Sequence, residues 1–336
     1  MNNNIFIAGG EEHLSLFRNE LPGLSFIKFP GFKPGYSRFL PQYISLLLKT
    51  PVLLYHIIRE HYRLKRIIHD YDINIVISDN RFGLWNRKIK TVYVTHMPRI
   101  PLPKTLRSLE FIGIMLHRAI LKKYSLCFIP DLPGELNVSG RLSHGLNLPD
   151  NVRYIGILSR FISDKPSLHE HGAKHKYNTV ILSGPEPQRG ILKKKMVDIF
   201  KDKETMTVIL EGKPGNKTEI VKSGNITFYN HLSSSEMRDV LTSSEKIITR
   251  SGYTTIMELI SLNYSALLIP TPGQTEQEYL ADYLSERGWF SSVKQNELKA
   301  GIQIPLKEYI CSDEIIKQSR IYLKKALKEL LEEPHI

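Results

Sequence analysis

Short apolar runs alternate along the chain with longer stretches in which apolar positions recur every three or four residues. In the first half the runs are Asn4–Ala8, Leu24–Phe29, Ile73–Ser78, Thr91–Thr95 and Leu126–Ile129. In the second half they are Thr179–Ser183, Thr207–Leu210, Ile226–Tyr229, Lys246–Thr249 and Ala266–Ile269. Each has the length and near-continuous apolarity of a strand buried on both faces. Between them, Leu14, Phe17 and Leu21 share one face of a predicted helix over Glu12–Leu21, and a serine cap opens another over Ser233–Leu241. Ile256, Leu259 and Ile260 line a helix over Tyr253–Leu262, and Asp313–Glu333 reads as a long amphipathic helix. This alternation predicts an α/β fold with parallel sheets, whose ligands gather outside the carboxyl ends of the strands.

That expectation points to Glu245–Gly288. The strand Lys246–Thr249 passes through Arg250-Ser251-Gly252 directly into a helix. Gly252 lets a ligand approach the backbone, and the free amides and dipole of the following helical turn favour an anion such as a diphosphate. Ser251, Thr254 and Thr255 add hydroxyl donors there, whereas Glu258 suits a pair of ribose hydroxyls, which a carboxylate accepts together. Ala266–Ile269 then runs into Pro270-Thr271-Pro272-Gly273, placing Gln274, Glu276 and Gln277 at the carboxyl end of a strand.

In order, these features are an R-S-G turn, a Glu six residues after its Gly, a P-x-P stretch and a polar pair before an Ala-containing helix. The combination resembles the donor-site signature of glycosyltransferase family 28, the MurG-like enzymes. The resemblance implies a GT-B fold, two Rossmann-like domains facing a central cleft, with residues 1–158 on the acceptor side and 159–336 holding the nucleotide-sugar and ending in a closing helix. It implies a UDP-sugar donor substrate, inverting chemistry, and neither metal nor other cofactor. By position, Gly252 with Thr254 or Thr255 would face the diphosphate, beside Arg250 and Ser251 of the same turn. Glu258 would take the ribose and Glu276 with Gln277 the sugar hydroxyls, with Gln274 also on the donor side. Glu276 stands where the peptidoglycan enzyme has Gln, so N-acetylglucosamine is not implied as the sugar. In the loop after Thr179–Ser183, Gly184 would lie near the diphosphate with Arg189 as a charge partner, although Pro185 and Pro187 remove amide donors. Leu232 would contact the base.

MurG-like enzymes begin with a strand, a loop ending in Gly-His and a helix before their second strand. Here Ile5–Phe32 resembles that second strand onward, as in uncharacterised relatives from Bacteroidetes. Two readings stay open: the opening strand, loop and helix are missing, or Gly9-Gly10 with His13 is a degenerate form of the loop. The candidates for a base that deprotonates an acceptor are therefore His13 and two residues at strand ends, Asp79 and His96.

A chain of 336 residues suits two domains. Of the net charge of +12, +10 lies in residues 1–155. Such a surface fits nucleic acid, anionic lipid or a phosphorylated substrate, and the lack of any helix-turn-helix, zinc-finger or RNA-binding signature sets nucleic acid aside. Residues 36–71 join apolar runs to Arg59, Arg63, Lys65 and Arg66. They are too short to span a bilayer, and they read as a helix that either packs on its own sheet or lies in an anionic membrane interface. The expected acceptor is a glycan or lipid-linked molecule, and the expected location is cytoplasmic, at the inner face of the plasma membrane. Cys127 and Cys311 are too few for a disulfide scaffold, no signal peptide is recognisable at the amino end, and His169, His171 and His175 read as surface linker rather than a metal site. The alternatives are a nucleotide-sugar hydrolase or epimerase, or a UDP-sugar-binding protein without transferase activity.

Overall fold

The computed structural model describes residues 4–32, 48–162, 177–213, 218–299, 301–305 and 313–332. In the first half, β1 (Phe6–Gly9), α1 (Glu11–Glu20) and β2 (Ser25–Lys28) form a parallel β-α-β unit with Phe6 opposite Ser25. After α2 (Thr50–Asp70) comes a four-stranded parallel sheet of β3 (Ile75–Asp79), β4 (Lys90–Val94), β5 (Leu126–Ile129) and β6 (Val152–Tyr154), with α3 (Glu110–Leu121) between β4 and β5.

The second half is built on one larger sheet. Its elements are β7 (Tyr177–Ile181), α4 (Gln188–Phe200), β8 (Thr207–Leu210), β9 (Ile220–Ser223), β10 (Ile226–Tyr229), α5 (Ser234–Ser243), β11 (Ser244–Thr249), α6 (Tyr253–Ser261), β12 (Leu267–Leu268), α7 (Thr275–Glu286) and β13 (Ser291–Ser292). The strand order is β13-β12-β11-β7-β8-β10-β9, parallel except for β9 at the edge. Val180, Ile209 and Ile248, from the three central strands, are fully buried between helical layers, as the continuous apolar runs predict. Two elements carry no such signal. All four residues of β9 are exposed, and α3 is apolar nearly all round, with Phe111, Ile112, Met115 and Leu116 exposed, which blurs its helical period. The cap on α5 is a complete capping box, Ser233 and Glu236 each satisfying the other's backbone amide.

Of the basic segment, α2 is described and residues 36–47 lie outside the described residues. Leu64 packs with Phe29 and Leu84, and Glu60 pairs with Arg81 at 2.8 Å. Val52, Leu54, Tyr55, Ile58 and Tyr62 are nevertheless exposed, so the helix packs on its own sheet and still presents apolar side chains outward. Among the described residues no helix is long and apolar enough to cross a membrane. His169, His171, His175 and Cys311 lie outside the described residues. Cys127 is buried, and burial pushes its thiol up to about 12.

The final helix, α8 (Asp313–Glu332), packs on the first half, where Ala326 and Leu330 join Val92, Phe128 and Ile155 in one cluster. Arg153 holds Glu329 through two bonds of 2.7 and 2.9 Å, and Lys90 donates to the Leu330 carbonyl at 2.6 Å. The crossing point needs glycine. Gly156 has φ +77° and lies so close to Ser319 that an added methyl would overlap its Cα, while the Ile157 amide donates to the Ser319 hydroxyl at 3.0 Å. Gly156→Ala should therefore cost about 2–4 kcal/mol, combining left-handed strain with overpacking, read as a lowered urea midpoint with an unchanged slope.

Candidate active site

The site begins at the carboxyl end of β11. Arg250 and Ser251, polar in sequence, are fully buried. The Arg250 guanidinium donates to the carbonyls of Ile269, Pro270 and Gln188 and to the Gln295 side chain, and burial lowers its pKa to about 10. Ser251 donates to the Gln277 carbonyl at 2.7 Å. Both side chains tie the loops after β11 and β12 together and do not face the cleft. Gly252 does. It caps α6 without any side-chain hydrogen bond, and a methyl placed on it meets nothing within 4 Å. Behind it Thr254 is exposed and Thr255 half-buried. A bare helix amino end opening on free space is the arrangement an oxyanion needs.

Tyr253, the first residue of α6, turns the other way. It is buried, its hydroxyl donates across the cleft to the Pro130 carbonyl at 2.8 Å, and its ring stacks on His96 at 4.4 Å. Burial raises the phenol well above its ordinary value, so it stays a donor. The next residue, Asp131, is a fully buried carboxylate that accepts from the amides of Leu132, Val138 and Ser139, each at 2.8 Å. His96 also reaches Glu276, Nε2 to Oε1, at 2.8 Å. Two residues 180 positions apart, one expected as a base and one as a sugar ligand, thus form a single pair. Nearby, Asp79 lies exposed at the end of β3 and lines the cavity between the halves; partial desolvation raises its carboxyl, and His96 opposes that rise.

Glu258 lies on the buried side of α6. Desolvation raises its carboxyl, and Arg160, donating Nε to Oε1 at 2.8 Å, works against the rise. Arg160 comes from the passage between the halves, and it was not foreseen as part of the site. Ser234 reaches across to Glu20 of α1, at 2.9 and 3.0 Å to its two oxygens. The other expected donor-side residues are partly engaged. Gln277 accepts from the Thr271 amide at 2.9 Å, and Gln274 is buried at the start of α7. Arg189 lies in the first turn of α4, bonded to Glu186 and the Gly212 carbonyl. Gly184 has φ +89° and, like Gly252, open space where a side chain would be. The Leu232 side chain is buried in the core. His13 falls in α1, but its side chain is outside what the structure describes.

With Gly252, Glu258, Glu276 and Gln277 arranged around one helix and the loop that follows it, similarity to known proteins becomes informative. Residues 191–326 match the glycosyltransferase family 28 C-terminal domain. No curated protein matches the chain. Among solved structures, the glycosyltransferase of kitacinnamycin is similar with TM-score 0.55 and 12% identity, over 95% of this chain and 94% of that one. SnogD from Streptomyces nogalater follows with TM-score 0.53 and 12% identity, over 95% and 87%. The spinosyn rhamnosyltransferase SpnG, complexed with thymidine diphosphate, has TM-score 0.52 and 10% identity, over 98% and 93%. These likenesses show the fold: GT-B, with two Rossmann-like domains across a cleft.

The raised carboxyl of Asp79 carries a sign. Its stabilising share is complete below about pH 3.9, the ordinary Asp value, and is lost as pH rises through the higher folded-state value. Asp79→Asn should therefore be more stable than the parent at pH 7, with the difference closing as pH falls below about 4, measured by urea unfolding across that range.

Proposed function

We propose that the chain transfers a sugar from a UDP-sugar to a hydroxyl of a glycan or lipid-linked acceptor, with inversion and without a metal. The observation that carries this is the bare amino end of α6 at Gly252, open to free space within the matched family 28 segment. The diphosphate sits there, where the helix amides stabilise the charge that develops as the bond to the anomeric carbon breaks. The electron pair of that bond leaves with UDP. The acceptor oxygen bonds to the opposite face of the same carbon, and its proton passes to His96, which Glu276 and Tyr253 hold in place. Asp79 is the second candidate for that proton. Glu258 accepts the ribose hydroxyls once Arg160 moves aside, and Gln277 with Glu276 orients the sugar. UDP as the nucleotide rests on the sequence resemblance, and thymidine diphosphate bound to SpnG is a ligand of the same chemical kind.

The lipidic side of the acceptor rests on the surface of the first half. The exposed apolar residues of α2 adjoin Arg59, Arg63, Lys65 and Arg66. Those of α3 lie near Arg107, Arg118, Lys122 and Lys123. Oily and basic groups side by side suit the face of an anionic membrane, and they support a location at the inner face of the plasma membrane.

Incubation with UDP-sugars, with and without membrane extract, tests the reading: UDP release should require the extract, and equal release without it would identify a hydrolase. Glu258→Ala should weaken UDP binding at least tenfold in calorimetry, the worth of hydrogen bonds to a charged group. His96→Gln should lower kcat by about 10²–10⁴ and leave UDP affinity unchanged, so a matching loss of affinity would remove His96 from the role of base.

A further inference from the structure

The sheet of the second half carries polar groups at its amino end that sugar transfer at Gly252 leaves unused. Lys246, Asn178 and Thr207 stand side by side in register on β11, β7 and β8. Two residues on, and so on the same face, Ile248, Val180 and Ile209 are core. On the other face the polar groups serve each other, the Thr179 and Ser244 hydroxyls lying 2.6 Å apart. Asn178 is different. It is 5% exposed, and its Oδ1 is buried without a hydrogen-bond partner. Its neighbour Thr207 does not serve it, since that hydroxyl is equally unpartnered. A buried carboxamide oxygen left unpaired is costly, and at the start of an otherwise apolar strand it asks for a partner from outside.

Asn178 and Lys246 both line a cavity of about 810 Å³, the size of a small-molecule site. Ile199 and Phe200 from the last turn of α4, Leu267 of β12, and Ile302 and Ile304 give it apolar walls, and Lys203 adds a second cation. Among the described residues no carboxylate lines it. A purely apolar ligand would leave both ammonium groups unanswered and Asn178 unpaired. A bare inorganic anion would answer the lysines and leave the apolar walls wet. A carboxylate with a nearby hydroxyl and an apolar tail meets all three demands.

We propose that this cavity binds a small hydroxy acid with an apolar tail. The carboxylate lies between Lys203 and Lys246, the hydroxyl donates to Asn178 Oδ1, and the tail covers Phe200, Ile302 and Ile304. Lys246 lies near the amino end of β11, and Gly252 follows the carboxyl end of the same strand. Roughly 20 Å of strand separates them. The ligand therefore touches none of the groups assigned to the sugar nucleotide, and the site is a second one on the opposite end of the sheet.

Calorimetry on the 336-residue protein with β-hydroxyoctanoate, octanoate and the diol matching the hydroxy acid tests this. The hydroxy acid should bind at a single site. Octanoate should bind about three to ten times more weakly, the worth of one neutral hydrogen bond, and the uncharged diol at least about tenfold more weakly, the worth of bonds to a charge. Asn178→Ala should bring the two acids to equal affinity. Lys246→Gln, at a half-buried position where the fold tolerates the change, should weaken both acids at least about tenfold. A diol that binds as tightly as the hydroxy acid would mean a merely apolar cavity. A hydroxyl preference that survives Asn178→Ala, or acid binding untouched by Lys246→Gln, would put the ligand elsewhere, and no binding of any of the three would leave the cavity without this ligand. Each of these results overturns the proposal, and none depends on UDP binding or sugar transfer.

Discussion

The molecule depends on one buried tyrosine. Tyr253 starts the helix whose amino end at Gly252 opens on free space, yet its own side chain reaches the first half, donating to Pro130 and lying flat on His96. A single residue therefore couples the place where charge would develop on a leaving group to the imidazole that would receive a proton. The phenol is buried and satisfied by the Pro130 carbonyl, so the contact is made in a desolvated setting where a hydrogen bond is strong. Further contacts across the cleft repeat the pattern, with Thr275 donating to the Pro101 carbonyl and Tyr279 accepting from the Arg141 amide. α8 clasps the first half from the side.

The strands were legible because parallel sheets buried on both faces leave continuous apolar runs, and the turn at Gly252 was legible as a strand passing through glycine into a helix. Burial direction was not. Arg250, Ser251 and Gly252 are adjacent and all compatible with an anion, but the first two turn into the protein and spend their donors on backbone carbonyls. Nothing in composition marks an arginine as solvated by carbonyls. The pairing of His96 with Glu276 was equally hidden, since each residue was readable at its own strand end and only the approach of two sheets unites them. β9 escaped because an edge strand exposed at every position has no core to declare itself in sequence.

The contact between Arg160 and Glu258 recasts how selectivity could arise at this site. The guanidinium already occupies the carboxylate, tethered a short chain distance away and therefore present at high effective concentration. Any ribose must outcompete a resident ligand that carries a full positive charge. A sugar phosphate without a nucleoside gains nothing from Glu258 and leaves that pair intact. Under the function proposed above, the pair would act as an internal inhibitor, displaced only by ligands long enough to fill the helix amino end and the carboxylate together, and would make occupancy of one subsite conditional on the other.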